Sequence, residues 1–149
     1  MFEYNRIVCA VDGSKTSAHA FQKAVEIAKR NEAALLIAHV VDTRSFATVE
    51  AYDRVVAERA DSYASDLLED YEKQATSSGL NEVSTSITYG SPKLKIAKEV
   101  APKFHADLII CGATGLNALE RFFIGSVSEH ITRYATCDVL VVRKQQDES

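Results

Sequence analysis

Asp107-Leu108-Ile109-Ile110-Cys111, running into Gly112-Ala113-Thr114-Gly115, is the stretch on which the fold turns. Its apolar residues are continuous rather than alternating and stop at a glycine, the pattern of a strand buried on both faces of a parallel sheet. Gly125 and Ser126 follow, so the spacing is G-x2-G-x9-G-S, and Ser126-Val127-Ser128-Glu129 has the S-x-x-E form of a capping box that opens a helix. A strand therefore feeds a glycine-rich loop that feeds a helix. At average glycine content, three glycines at these offsets recur by chance in about 5% of chains this long. The flanking strand and helix, more than the spacing, carry the reading. The arrangement suits phosphate, because the first N–H groups of a helix have no partner and its dipole favours negative charge there. Glycines let the main chain approach an anion without a Cβ in the way.

Outward from this stretch the chain alternates strand and helix. Residues 6–11 are a first apolar run, ended by the turn chemistry of Asp12-Gly13-Ser14, and a helix is predicted over 16–31 with Ala18, Phe21, Ala24, Val25 and Ala28 on its inner face. Residues 35–41 form a second, continuously apolar strand, and a loop over 42–47 leads to a long amphipathic helix over 48–78 that stops at Gly79. Its length predicts a bend or an irregular first turn. Residues 82–88 alternate Val83, Thr85 and Ile87 with polar neighbours, as an exposed edge strand does. Ser91 then caps and Pro92 starts a helix to about residue 104, with Ile96, Ala97 and Val100 inward, and residues 139–143 supply a fifth strand. Five strands joined by crossover helices predict an α/β doubly wound parallel sheet with helices on both faces. The orders 2-1-3-4-5 and 3-2-1-4-5 both satisfy right-handed connections. In the order 3-2-1-4-5 the switch point lies between the first and fourth strands, so Asp12 and Gly112 face one crevice.

Composition limits the function. With 149 residues, 46% hydrophobic content and two prolines, the chain fits one domain without a linker. A net charge of −4, with 17 Lys and Arg scattered along the chain, offers no basic footprint for nucleic acid. No apolar run is long enough for a membrane span, and residues 1–6 lack a signal-peptide core, so a soluble, cytoplasmic protein is expected. Cys9, Cys111 and Cys137 have no C-x-x-C spacing and read as reduced, mostly buried thiols without a metal role. His39, within the second strand, reads as a hydrogen-bonded interior histidine. The charges of the long helix read as a solvated face. Asp12 can accept a ribose or adenine hydrogen bond, hold a water on a metal, or close an Asx turn.

Gly112-Ala113-Thr114-Gly115 through Gly125-Ser126-Val127-Ser128-Glu129-His130, closing on Val139-Leu140-Val141-Val142-Arg143, resembles the ATP-binding class of the universal stress protein family. Ala10-Val11-Asp12-Gly13-Ser14 and Ala38-His39-Val40-Val41-Asp42 are also similar to it. The likeness spans nearly the whole chain. It implies a single flavodoxin-like domain over residues 1–149, sheet order 3-2-1-4-5, and a homodimer formed through the last edge strand, Val139, Leu140, Val141 and Val142. It implies ATP, or ADP or AMP, as ligand, with a divalent metal, Mg or Mn, arriving through the phosphates, and protein partners of unknown identity. Ala10, Val11, Asp12 and Cys111 would border the nucleotide, the main chain of Val40 would meet the adenine, and Gly112 and Gly115 would lie along ribose and α-phosphate. Gly125, Ser126, Val127 and Ser128 would cradle the outer phosphates, the two serines adding hydroxyl donors. The family pattern often has a basic residue or histidine between the first two glycines, where this chain has Ala113-Thr114. Arg121, in the x9 loop, is the candidate replacement.

The chain lacks the G-K-[ST] of a Walker loop and the G-x-G-x-x-G of a dinucleotide site. Hydrolysis needs a base or water-orienting group near the γ-phosphate, for which Asp12, Glu129 and His130 are the candidates. Glu129 is expected to close the capping box and His130 to face along its helix, so no catalytic residue is assigned. The expectation is an ATP-binding regulatory stress-response protein with slow hydrolysis at most. Two alternatives stay open: an enzyme performing adenylyl or phosphoryl transfer in the same crevice, and a dimerising scaffold with a vestigial loop.

Overall fold

The computed structural model describes residues 4–43, 53–114 and 124–143. Strand β1 (Arg6–Ala10) leads to helix α1 (Lys15–Asn31), β2 (Ala34–Asp42), α2 (Asp53–Ser77) and β3 (Val83–Gly90). Helix α3 follows as three contiguous pieces, α-helical Pro92–Lys95, a π segment Ile96–Val100 and α-helical Ala101–Phe104. Then come β4 (Leu108–Gly112), α4 (Ser126–Tyr134) and β5 (Asp138–Val142). All neighbouring strands are parallel, and the sheet order is β3-β2-β1-β4-β5.

Strand burial explains why this order is adopted over the alternative. Residues 34–41 of β2 are buried without interruption, so β2 needs a strand on each side and a helix on each face. Strand β3 is half-buried and alternating, and it occupies the edge, as its sequence pattern predicts. The register between β1 and β4 is pinned from outside the sheet. The Asp107 carboxylate accepts from the N–H groups of Asn5 at 2.8 Å and Arg6 at 3.0 Å, while Arg6 Nε donates to the Phe104 carbonyl at 2.6 Å.

Helices cover both faces. On one, α1 and α2 bury Ala20, Phe21, Ala24, Leu68 and Ala75 against Ile7, Cys9, Leu35, Ile37 and Ile110. Phe21 stacks on Tyr71 with ring centroids 4.4 Å apart. On the other, α3 and α4 bring Ile96, Val100 and Ile131 onto Val8, Leu36, Val40, Ile109 and Cys111.

Two expectations about helix starts and one about a helix interior are refined. Helix α1 begins at Lys15, one residue before the predicted start, because Ser14 is its N-cap and accepts from the Ser17 N–H at 3.0 Å. Ser91 does hold the N-cap position of α3, with Pro92 next, but its side chain makes no capping bond. Helix α3 is not uniform either. Pro102 lacks an N–H and its ring would crowd the carbonyl four residues back, and the widened turn just before it, with Ala101 N–H reaching the Ile96 carbonyl, relieves that conflict. Helix α2 is continuous from Asp53 to Ser77. The predicted loop beyond residue 43, and the first residues predicted for that helix, 48–52, lie outside the described residues. Among the described residues no helix is long and apolar enough to cross a membrane.

Candidate functional site

Parallel strands that change winding direction leave a gap at their carboxyl ends, and here it is a crevice of about 370 Å³ above β1 and β4. A volume in that range accommodates a small organic ligand. Its walls are Ala10, Val11 and Asp12 after β1, Val40 on β2, Cys111 and Gly112 on β4, and Gly125, Ser126, Val127 and Ser128 at the start of α4. Every sequence-predicted site residue is therefore brought to one place except Gly115, which lies outside the described residues, as does Arg121. Ser17, Ala38, Pro92, Ile96, Ala113 and Thr114 also line it and were not anticipated. Ala38 was legible, because it lies two residues before Val40 and so on the same face of β2. Pro92 and Ile96 were not, since nothing local says that α3 overhangs a strand end three positions away in the sheet.

The turn after β1 is tightly specified. Asp12 N–H donates to Ser17 Oγ at 3.2 Å, and Asp12 Oδ1 accepts from the Ser14 N–H at 2.9 Å, so the Asx turn forms at the crevice wall itself. Gly13 has φ +88°, a conformation that disfavours any side chain. Buried His39 approaches the Val11 carbonyl through Nδ1 at 2.8 Å, as an interior hydrogen-bonded histidine should.

The start of α4 differs from the predicted capping box. Gly125, not Ser126, is the N-cap, with φ −68° and ψ 163°, and no side chain caps the helix. Glu129 pairs instead with Arg133, Oε1 to guanidinium at 3.2 Å. Ser128 is buried and its hydroxyl donates to the Ala113 carbonyl at 2.8 Å, so it serves the loop rather than a ligand. Ser126 is exposed, and its hydroxyl has no partner among the described residues. Gly125 N–H also reaches the Ala113 carbonyl, at 2.7 Å, and Ala113 N–H donates to the Val142 carbonyl at 2.8 Å, tying the loop to β5. The first N–H to bond back into the helix is that of Glu129, to the Gly125 carbonyl at 3.0 Å. The N–H groups of Ser126, Val127 and Ser128 thus have no acceptor among the described residues.

The two described glycines of the motif have different physical grounds. A Cβ on Gly112 would sit 2.8 Å from Thr16 Cγ2, 3.1 Å from the Thr16 carbonyl carbon and 3.2 Å from the Ser17 nitrogen, so this glycine lets α1 pack onto β4. Among the described residues a Cβ on Gly125 would meet the Ala113 oxygen at 3.4 Å and Thr114 Cα at 3.6 Å, ordinary contacts. Nothing among the described residues requires glycine at 125, which stands directly before the three N–H groups without a described acceptor. Thr114 and Thr16 join the loop to α1 by a hydroxyl contact of 3.3 Å.

Among the described wall residues, Asp12 and Cys111 are the ionisable ones and none is cationic. Burial pushes the Cys111 thiol up to about 12 and raises Cys9 further, so both are protonated thiols and neither is a nucleophile at neutral pH. All three cysteines are free. His130 stacks along α4 on Tyr134, centroids 4.4 Å apart. The described residues hold no cluster of three or more metal-ligating side chains.

The model of the universal stress protein family matches residues 3–143. A Staphylococcus saprophyticus protein bearing that family's name is 47% identical over 146 residues, covering 98% of this chain and 87% of its own length. The solved universal stress protein UspA from Lactobacillus plantarum superimposes with a TM-score of 0.85 at 33% identity, over 96% of this chain and all of that one. A universal stress protein solved in complex with cAMP matches with a TM-score of 0.67 at 26% identity, over 93% and 96% of the two chains.

Proposed function

The chain belongs to the universal stress protein family, and on that premise we propose that it is a regulatory module whose crevice binds an adenine nucleotide, ATP foremost. The observation that carries this is that Ser126, Val127 and Ser128, whose N–H groups have no acceptor among the described residues, line the crevice that Asp12 also walls. In this reading the amides and the Ser126 hydroxyl hold the outer phosphates, the Asp12 carboxylate accepts from the ribose hydroxyls, and the adenine lies along Ala38 and Val40. The ligand of the cAMP-bound relative is likewise an adenine nucleotide.

Charge-assisted hydrogen bonds contribute about 1.5–3 kcal/mol each, so four or five offset the cost of association and leave roughly micromolar affinity without a lysine. A divalent cation, Mg or Mn, enters with the phosphates it neutralises. Slow turnover follows from the surroundings of the bases: Glu129 is paired with Arg133 and His130 is stacked on Tyr134. The module acts as a homodimer, the unpaired edge of β5 with Val139, Leu140, Val141 and Val142 supplying the contact, in the cytoplasm and with protein partners that read its occupancy.

Denaturing the purified protein and weighing the released nucleotide tests the reading, together with thermal denaturation. ATP at a hundred times Kd stabilises by about 2.7 kcal/mol, roughly 5–10 °C for a domain of this size. Ser126→Asp, which sets a carboxylate before the amides, abolishes the shift. Finding neither a released nucleotide nor a shift would refute nucleotide binding, and product release faster than about one per second would make the protein an enzyme instead.

A further inference from the structure

We infer that Tyr63, on α2 and outside the crevice, is a positioning residue that sets the Asp12 carboxylate for a nucleotide's ribose. This rests on the assignment of Asp12 to the ribose made above.

The Tyr63 hydroxyl donates to the Asp12 carbonyl at 3.4 Å. With the Asp12 N–H held by Ser17 Oγ and Oδ1 held by the Ser14 N–H, three of the four polar groups of Asp12 are engaged. Oδ2 is the one without a partner among the described residues, and Asp12 walls the crevice. Tyr63 also occupies the space beside Gly13: a Cβ there would lie 1.9 Å from the tyrosine oxygen and 3.2 Å from Cζ. The turn can therefore not roll toward α2, and Gly13 is needed both for its φ of +88° and to admit this ring.

Two supports keep the tyrosine in place. Its ring meets His39 edge-on, centroids 6.1 Å apart, and His39 holds the preceding carbonyl, that of Val11, at 2.8 Å. Consecutive carbonyls of one turn are thus gripped by side chains from two other elements, β2 and α2. Two residues before Tyr63, Asp61 accepts from the Tyr89 hydroxyl at 2.8 Å and ties α2 to the end of β3. Tyr63 is nevertheless 48% exposed, so burial does not account for an aromatic residue at this place. Its contacts with the Asp12 carbonyl, Gly13 and the His39 ring all fall at this turn. A carboxylate held this way binds ribose without first losing rotational freedom.

Calorimetric titration of ATP and of 2′,3′-dideoxy-ATP into the full chain, Tyr63→Phe, Asp12→Asn and the double variant tests this. Tyr63→Phe removes only the hydroxyl and is expected to weaken ATP about fivefold while leaving dideoxy-ATP unchanged. In the Asp12→Asn background, which keeps an oxygen for the Asx turn, it adds nothing. An unchanged ATP affinity in Tyr63→Phe, equal losses for the two nucleotides, or additive losses would overturn the inference. If Asp12→Asn itself leaves ATP binding intact, the ribose assignment falls and the role of Tyr63 with it. A wild-type chain that binds neither nucleotide refutes the nucleotide reading as a whole.

Discussion

Replacing Gly125 by serine should make the protein more stable and a worse ATP binder, a combination that follows from the start of α4. The residue sits at the N-cap with φ −68° and ψ 163°, the extended conformation in which serine caps helices. Its new Cβ would touch the Ala113 oxygen at 3.4 Å and Thr114 Cα at 3.6 Å, so no overpacking arises. Serine gains a few tenths of a kcal/mol as a cap and about 0.4–1 kcal/mol from a less flexible unfolded chain, a total of roughly 1 kcal/mol. For a domain of this length that raises Tm by about 2–4 °C. The hydroxyl oxygen accepts from the Val127 or Ser128 N–H, the groups a phosphate would take. Losing one charge-assisted bond of about 1.5–3 kcal/mol weakens ATP roughly 10- to 150-fold. Gly112→Ala is the contrasting variant. Its Cβ meets Thr16 at 2.8 Å and 3.1 Å, and overpacking against a helix backbone costs about 1–3 kcal/mol, lowering Tm by several degrees before any ligand is added. Differential scanning calorimetry without nucleotide, followed by ATP titration, reads both. A destabilised Gly125→Ser would refute the packing argument, and a stabilised one that binds ATP as before would refute the role of the amides.

Other consequences can be checked with equal economy. Ser128→Ala frees the Ala113 carbonyl of its 2.8 Å hydroxyl bond while leaving the Gly125 N–H on it, and should cost about 1 kcal/mol in urea denaturation. Glu32 closes α1 in the left-handed region at φ 53°, so Glu32→Gly should gain about 0.5–1 kcal/mol by the same measurement. Unfolded thiols ionise near 9.0 whereas Cys111 is held protonated up to about 12. Above pH 9 the folded state therefore binds more protons than the unfolded one, and stability falls as pH rises toward 12. Cys9 adds to the loss in the same direction. At pH 8, iodoacetamide should label half-buried Cys137 ahead of Cys9 and Cys111, read by peptide mass.

Much of this protein is written in short-range pattern. The continuous apolar runs of β1, β2 and β4, the alternation of β3 and the turn residues between them sufficed for a doubly wound sheet with its crevice at the carboxyl ends of the strands. Periodicity is a local property, fixed by how side chains alternate along a strand or recur around a helix, so it survives in a linear reading. The resemblance carried by the glycine motif then selected the sheet order, which the strand patterns had left between two choices.

Contacts between residues far apart in the chain were decided only on folding. Ser126-Val127-Ser128-Glu129 has the form of a capping box, yet the Ser128 hydroxyl prefers a carbonyl 15 residues back, and Gly125 takes the cap. Gly112 and Gly125 look alike in sequence, but one is glycine because α1 lies against it and the other is not required by any described neighbour. Tyr63 bears on Asp12 from 51 positions away. Sequence by itself determined the strands, the helices and the end of the sheet where a ligand belongs. Which hydroxyls and amides remain unspent there depended on the packing of separate elements, because a hydrogen bond has a short reach and its partner is settled only when the chain has closed around it.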